Sequence, residues 1–142
     1  MNFRPLYFKK VIDLEITKAE KYIHSLSKFG KKSGLYNITR LLEMVGNPQD
    51  KLKFVHIAGT NGKGSCANMV SNVLTETSLK VGLFTSPFIE KFNERIQINN
   101  ECISDDDLEK YTAIVKDAIE KIDDKDYHPI EFEVITAIGF LY

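Results

Sequence analysis

The apolar residues of this chain follow two rhythms: a helical one, returning every three or four positions, and short unbroken runs of strand type. Thr17 and Glu20 have the spacing of a capping box, and Ala19, Tyr22, Ile23, Leu26 and Phe29 form one stripe that Gly30 stops. A second helix is expected from about Leu35 to Val45, with Leu35, Ile38, Leu41, Leu42 and Val45 on one face and Gly46-Asn47-Pro48 as its end. Lys53–Ala58 reads as a strand. The turn Gly59-Thr60-Asn61-Gly62-Lys63-Gly64-Ser65 follows, and then a helix carrying Met69, Val70, Val73 and Leu74 to about Glu76 or Thr77. Val81-Gly82-Leu83-Phe84 is a second short strand, ending at Thr85-Ser86-Pro87. Strand, helix, strand at this spacing predicts a βαβ unit with a right-handed crossover, hence a parallel sheet and an α/β class.

Residues 87–93 lack a period and read as a loop beyond the second strand. Arg95–Ile98 and Glu101–Ile103 flank Asn99-Asn100, a two-residue hairpin turn of residues that tolerate positive φ. Ser104 before Asp105, Asp106 and Asp107 is a helix start, with Leu108, Tyr111, Val115, Ala118, Ile119 and Ile122 on the buried face. A last helix begins near Glu131 and is still running at Tyr142. Phe132, Val134, Ile135, Ala137, Ile138 and Phe140 make it apolar almost all round, which predicts a central position. A doubly wound fold would place another strand after it, so the chain reads as the front part of a larger domain.

The composition changes this picture little. The chain has 142 residues, with 19 basic and 20 acidic side chains and a net charge of −1, so no global field recruits nucleic acid or a membrane surface. No run approaches the ~18 apolar residues of a membrane span, and no signal-peptide core opens the chain; a cytoplasmic location is the expectation. Cys66 and Cys102 have no metal-type spacing, and Cys66 reads as a small buried residue. His24, His56 and His128 read as packed histidines. The pattern carries no oligomeric state.

The chemistry concentrates in residues 59–65. A strand, a compact glycine turn, a lysine and a helix in that order form a phosphate cradle. Backbone N–H groups converge on one spot, glycine admits an anion closely, and the helix dipole favours negative charge there. Lys63 adds a full positive charge, and the expected ligand is a nucleoside triphosphate. The tract Lys28 to Gly34 is a basic, glycine-punctuated loop, either a solvated turn or a contact for an anionic ligand.

Gly62-Lys63 is similar to the end of a Walker A loop, but Ile57 stands where that loop has its first glycine, and Gly64 where it has a hydroxyl. Gly59-Thr60-Asn61-Gly62-Lys63 followed by Gly64-Ser65 instead resembles the short loop of the folate branch of the Mur ligase superfamily, the folylpolyglutamate and dihydrofolate synthases. Leu83 to Phe88 and Phe92-Asn93-Glu94-Arg95-Ile96 resemble that branch's loop after the second strand. Phe132 to Ala137 resembles its F-E-x-x-T-A helix start, and Gly34-Leu35 through Leu42 its early pterin-contacting segment. At Ile130 the family often has threonine.

The resemblance implies an ATP-dependent ligase that phosphorylates the carboxylate of a folate or dihydropteroate and joins L-glutamate to it. It implies ATP and Mg2+ as cofactors, with Lys63 catalytic and Gly59, Thr60, Asn61, Gly62, Lys63, Gly64 and Ser65 on the nucleotide. It places Ser86 and Glu133 on the metal, and Gly34, Leu35, Phe88, Arg95 and Phe132 at the substrate. It also implies that residues 1–142 are the N-terminal part of the ATP-binding domain, inactive alone, with the later metal-binding histidine and the glutamate-binding C-terminal domain beyond Tyr142. Plainer readings stand beside these. Ser86 can be a turn residue before Pro87, Glu133 an acid favoured in a first helical turn by about 0.3–1 kcal/mol, and Arg95 an exposed strand residue. A UDP-muramyl amino-acid ligase explains the loop but fits Gly64 and Phe92–Ile96 less well, and a non-catalytic nucleotide-binding module remains a reading of another class.

Overall fold

The structure, a computed structural model, describes residues 16–26 and 34–142. The chain before Ile16 and the basic tract up to Ser33, with the expected helix end at Phe29-Gly30, lie outside the described residues. Helix α1 (Lys18–Ser25) starts at Thr17, whose hydroxyl accepts the Glu20 N–H at 3.1 Å. Helix α2 (Tyr36–Met44) follows Leu35 and ends where the glycine signal predicts: Gly46 and Asn47 adopt positive φ before a short 3-10 turn at Pro48–Lys51. Helix α3 (Lys63–Thr75) leaves the glycine turn through Gly62, whose φ of 74° is a conformation that favours a residue without Cβ. Helix α4 (Asp105–Glu120) is capped by Ser104 accepting from the Asp107 N–H at 3.1 Å, and α5 (Glu131–Leu141) closes the described chain.

Helix α5 is central, as its apolar circumference predicts. Val134, Ile135, Ala137 and Ile138 are fully buried and meet Ile23 of α1, Leu41 of α2 and Leu108 and Val115 of α4 in one core. The periodicities of α1, α2 and α4 are amphipathic faces turned towards this shared neighbour.

The sheet differs from the expectation. Strands β1 (Gly82–Phe84), β2 (Ile96–Ile98) and β3 (Glu101–Cys102) form an antiparallel meander in the order β1-β2-β3. Leu83 pairs with Gln97 and Ile98 with Glu101, and the turn is Asn99-Asn100, at φ 50° and 67°. The parallel sheet is not formed among the described residues. Residues 53–58 run without a ladder, because no described strand lies beside them to accept their N–H and C=O groups. Phe54 and Val55 are consequently 59% and 67% exposed, and the Phe54 ring rests edge-on against Phe140 of α5. Met69 and Val73 of α3 are 68% and 66% exposed and, with Val70 and Leu74, line a shallow apolar groove.

Candidate functional site

The glycine turn and the first turn of α3 are solvent-exposed throughout. Unlike α1 and α4, α3 has no side-chain cap and no acid in its first turn, so its leading N–H groups and the positive end of its dipole face outward unanswered. Lys63 folds back over the turn and its Nζ donates to the carbonyls of Gly59 at 2.6 Å and Thr60 at 3.1 Å. The loop therefore holds its own ammonium where an anion could replace the carbonyls as partner. Gly64 and Ser65 stand in the second and third helical positions, within this N–H array. An extended segment, a glycine turn, a lysine and an open helix N-terminus are the parts of an anion cradle.

Helix α3 lies against β1, whose carboxyl end runs into Thr85-Ser86-Pro87, with the Ser86–Pro87 peptide cis. Here the motif Phe92-Asn93-Glu94-Arg95 acquires physical roles that spacing could not assign. Phe92 is buried, with Phe88 and His24 edge-on to it at centroid distances of 5.8 and 5.2 Å. Asn93 donates to the Ile103 carbonyl at 2.7 Å and to Asp105 at 2.9 Å, tying the loop to the start of α4. The Glu94 carboxylate accepts the backbone N–H groups of Ile89, Glu90 and Lys91 at 2.8 to 3.3 Å, and these bonds hold its pKa below the usual carboxylate value.

Arg95 is buried, not an exposed strand residue. Its Nη1 pairs with Glu131 Oε1 at 3.2 Å, its Nη2 lies 3.5 Å from Ser86 Oγ, and the Phe92 ring lies under the guanidinium at 5.4 Å. Glu131 and His24 are partners that sequence reasoning missed. His24 Nδ1 meets Glu131 Oε2 at 3.2 Å, and its Nε2 lies 3.5 Å from Glu20. The three histidines are exposed, which corrects the expectation of packed rings, and both cysteines are free and exposed, which corrects the buried reading of Cys66.

The remaining predicted residues are placed as follows. Glu133 turns its Oε2 onto the Ile130 N–H at 2.9 Å, the role of an acid in a first helical turn. Its charge, after burial as the larger cause, pushes the phenol of Tyr127 upward, and the Tyr127 hydroxyl is buried without a partner among the described residues. Phe132 is exposed on α5, with its ring edge-on to Phe84 at 6.1 Å. Gly34 and Leu35 lie exposed just before α2, and Phe88 is half-buried against the core. The structure thus brings Ser86, Arg95 and the start of α5 together. No hydrogen bond or ion pair joins Lys63 to Ser86 or Glu133.

Among the described residues no group of three or more His, Cys, Asp or Glu side chains could hold a metal ion. Ser86 and Glu133 still fit Mg2+ by chemistry. They offer a hydroxyl and a carboxylate, hard oxygen donors of the kind Mg2+ takes one or two of while phosphates and waters complete its shell. No described helix is long and apolar enough to cross a membrane.

No protein-family model matches the chain. It is 44% identical over 131 residues to the folylpolyglutamate synthase of Lacticaseibacillus casei, covering 91% of this chain and 31% of that protein. It is also 44% identical over 128 residues to the dihydrofolate synthase/folylpolyglutamate synthase of Bacillus subtilis, covering 87% of this chain and 29% of the relative. The fold is similar to that of a folylpolyglutamate synthase–AMPPCP–folate complex, with a TM-score of 0.82 at 44% identity over 87% of this chain and 31% of the other. The Thermotoga maritima folylpolyglutamate synthase gives 0.79 at 41% identity, over 86% and 28%. The chain spans about a third of the length of the curated relatives it matches.

Proposed function

This chain is a homologue of the folylpolyglutamate and dihydrofolate synthases, and on that premise we propose that it belongs to an ATP-dependent ligase joining L-glutamate to a folate or dihydropteroate carboxylate. The observation that carries the reading is the uncapped, acid-free start of α3 with Lys63 poised over the turn. A carboxylate oxygen of the acceptor attacks the γ-phosphorus of ATP, ADP leaves, and an acyl phosphate forms. The amine of glutamate then attacks the acyl carbon, phosphate departs, and the amine proton is lost as the amide forms.

This chemistry asks little covalent work of the protein and much positioning. The N–H groups of Asn61 to Ser65 and the Lys63 ammonium hold the phosphates. Ser86 and Glu133 are the residues that would hold Mg2+, which supplies charge neutralisation at the phosphates. Gly34, Leu35 and Phe132 present exposed surface for the flat acceptor ring, while Phe88 and Arg95, more deeply placed, shape the turn behind it.

The chain is proposed as an incomplete ATP-binding domain. Residues 53–58, the edge of β1 that pairs with no described strand and the apolar face of α3 are the surfaces that the remaining strands and helices of a parallel P-loop sheet would cover. The test is ADP release by the full-length protein with ATP, Mg2+, glutamate and either dihydropteroate or folate. Release that requires both acceptor and glutamate is expected. Nucleotide binding without acceptor-dependent turnover would favour a binding module instead. Glutamate ligation by residues 1–142 alone would overturn the incomplete-domain reading.

A further inference from the structure

Arg95 is the one charged side chain among the described residues that is buried, at 5% exposure. A guanidinium removed from water needs a counter-charge and partners for its donors. Glu131 supplies the charge and divides its oxygens, Oε1 to Arg95 Nη1 and Oε2 to His24 Nδ1, both at 3.2 Å. It thereby ties α1, α5 and the turn before β2 at one point. Of the other guanidinium donors, Nη2 lies 3.5 Å from Ser86 Oγ, and Nε is buried with no partner among the described residues.

We propose that Glu131 is a positioning residue for the cation at Ser86: it neutralises Arg95 and fixes its plane, so that a divalent ion can approach the Ser86 hydroxyl. The inference rests on the reading above that Ser86 holds Mg2+. A hydroxyl has one hydrogen and two lone pairs. Acceptance from Nη2 occupies one lone pair, leaving the other for a cation and the hydrogen for a phosphate oxygen. Without the Glu131 charge, an uncompensated guanidinium would lie against the place where a dication must sit, and like charges at such range oppose binding strongly. Partners behind a metal ligand commonly change metal affinity by about 10–100-fold when removed.

The variant Glu131→Gln keeps the size and one acceptor oxygen while removing the charge. In the full-length protein, binding of AMPPCP is measured calorimetrically as Mg2+ is titrated, with a thermal melt of each variant. The Mg2+ needed for half-saturation should rise about tenfold or more in Glu131→Gln. In the double variant Arg95→Gln/Glu131→Gln it should fall back to within a few-fold of wild type, because no buried charge is then left unpaired. The double variant also keeps the test open if the single one fails to fold. An unmoved midpoint in Glu131→Gln, or a double variant as weak as the single, overturns the inference while the wild-type Mg2+ dependence preserves the ligase reading. Wild-type AMPPCP binding that ignores Mg2+ overturns both.

Discussion

Replacing Lys63 by methionine keeps the apolar stem and removes only the ammonium. In the free protein that ammonium makes two short-range bonds, to the carbonyls of Gly59 and Thr60, on a loop that is exposed along its whole length. Water replaces such partners readily, so the stability change should stay within about 0.5–1 kcal/mol. A bound triphosphate is a different matter. Charge-assisted bonds contribute about 1.5–3 kcal/mol each, and giving up the carbonyl bonds to make one costs the wild type about 0.5 kcal/mol. The net loss in Lys63→Met is therefore about 1–2.5 kcal/mol, or roughly 5- to 70-fold in the dissociation constant of an ATP analogue. Calorimetric titration measures the affinity and a urea melt the stability, with Lys116→Met as a control on the exposed side of α4. Unchanged affinity in Lys63→Met would refute the placement of the phosphates in this loop. A large loss of stability would refute the claim that the lysine is held only by solvent-accessible loop bonds.

Two further outcomes test the surroundings of the site. The Glu94 pKa is lowered in the folded state, chiefly by the N–H groups of Ile89 and Lys91, so its contribution is present above the usual value of 4.5 and is lost as pH falls through the folded value. Amide exchange at residues 89–91 should accelerate on acidification below that range in wild type and be fast and nearly pH-independent, beyond the intrinsic chemistry, in Glu94→Ala; equal protection in the two proteins would remove the carboxylate from the argument. Gly139→Ala should destabilise by about 1 kcal/mol in a urea melt. The new Cβ would meet Phe84 Cδ2 at 3.0 Å on β1, and overpacking of about 1–3 kcal/mol exceeds the ~1 kcal/mol gain in helix propensity. A stabilised variant would mean that the Phe84 ring yields freely.

The exposed apolar segments and the buried Arg95 pair describe one molecule with two kinds of surface. Around α5 the apolar stripes of α1, α2 and α4 meet, and the starts of α1 and α4 are capped. Along residues 53–58 and α3 it does not, and those are the elements that carry the candidate nucleotide loop. A loop whose strand lacks its ladder is held less firmly than one set in a sheet, so its geometry for chemistry depends on what covers it.

Signals that act over three or four residues were legible from the residues alone. The Thr17 and Ser104 caps, the stop at Gly46-Asn47-Pro48, the Asn99-Asn100 turn and the central apolar α5 all follow from local hydrogen-bonding chemistry or periodicity. So does the glycine turn that leads into α3 at Lys63, because turn, lysine and helix start are contiguous in the chain. Only the tertiary structure could decide what depends on distant partners. Whether residues 53–58 pair is determined by a neighbouring strand, not by their own apolarity. The Arg95–Glu131 pair spans 36 residues and the His24–Glu131 contact 107, and no local pattern encodes either. Burial then gave these groups their meaning: Arg95, for which a substrate contact and an exposed strand position were both open, became a buried charge, and Glu131, read only as the start of a helix, became the group that answers it.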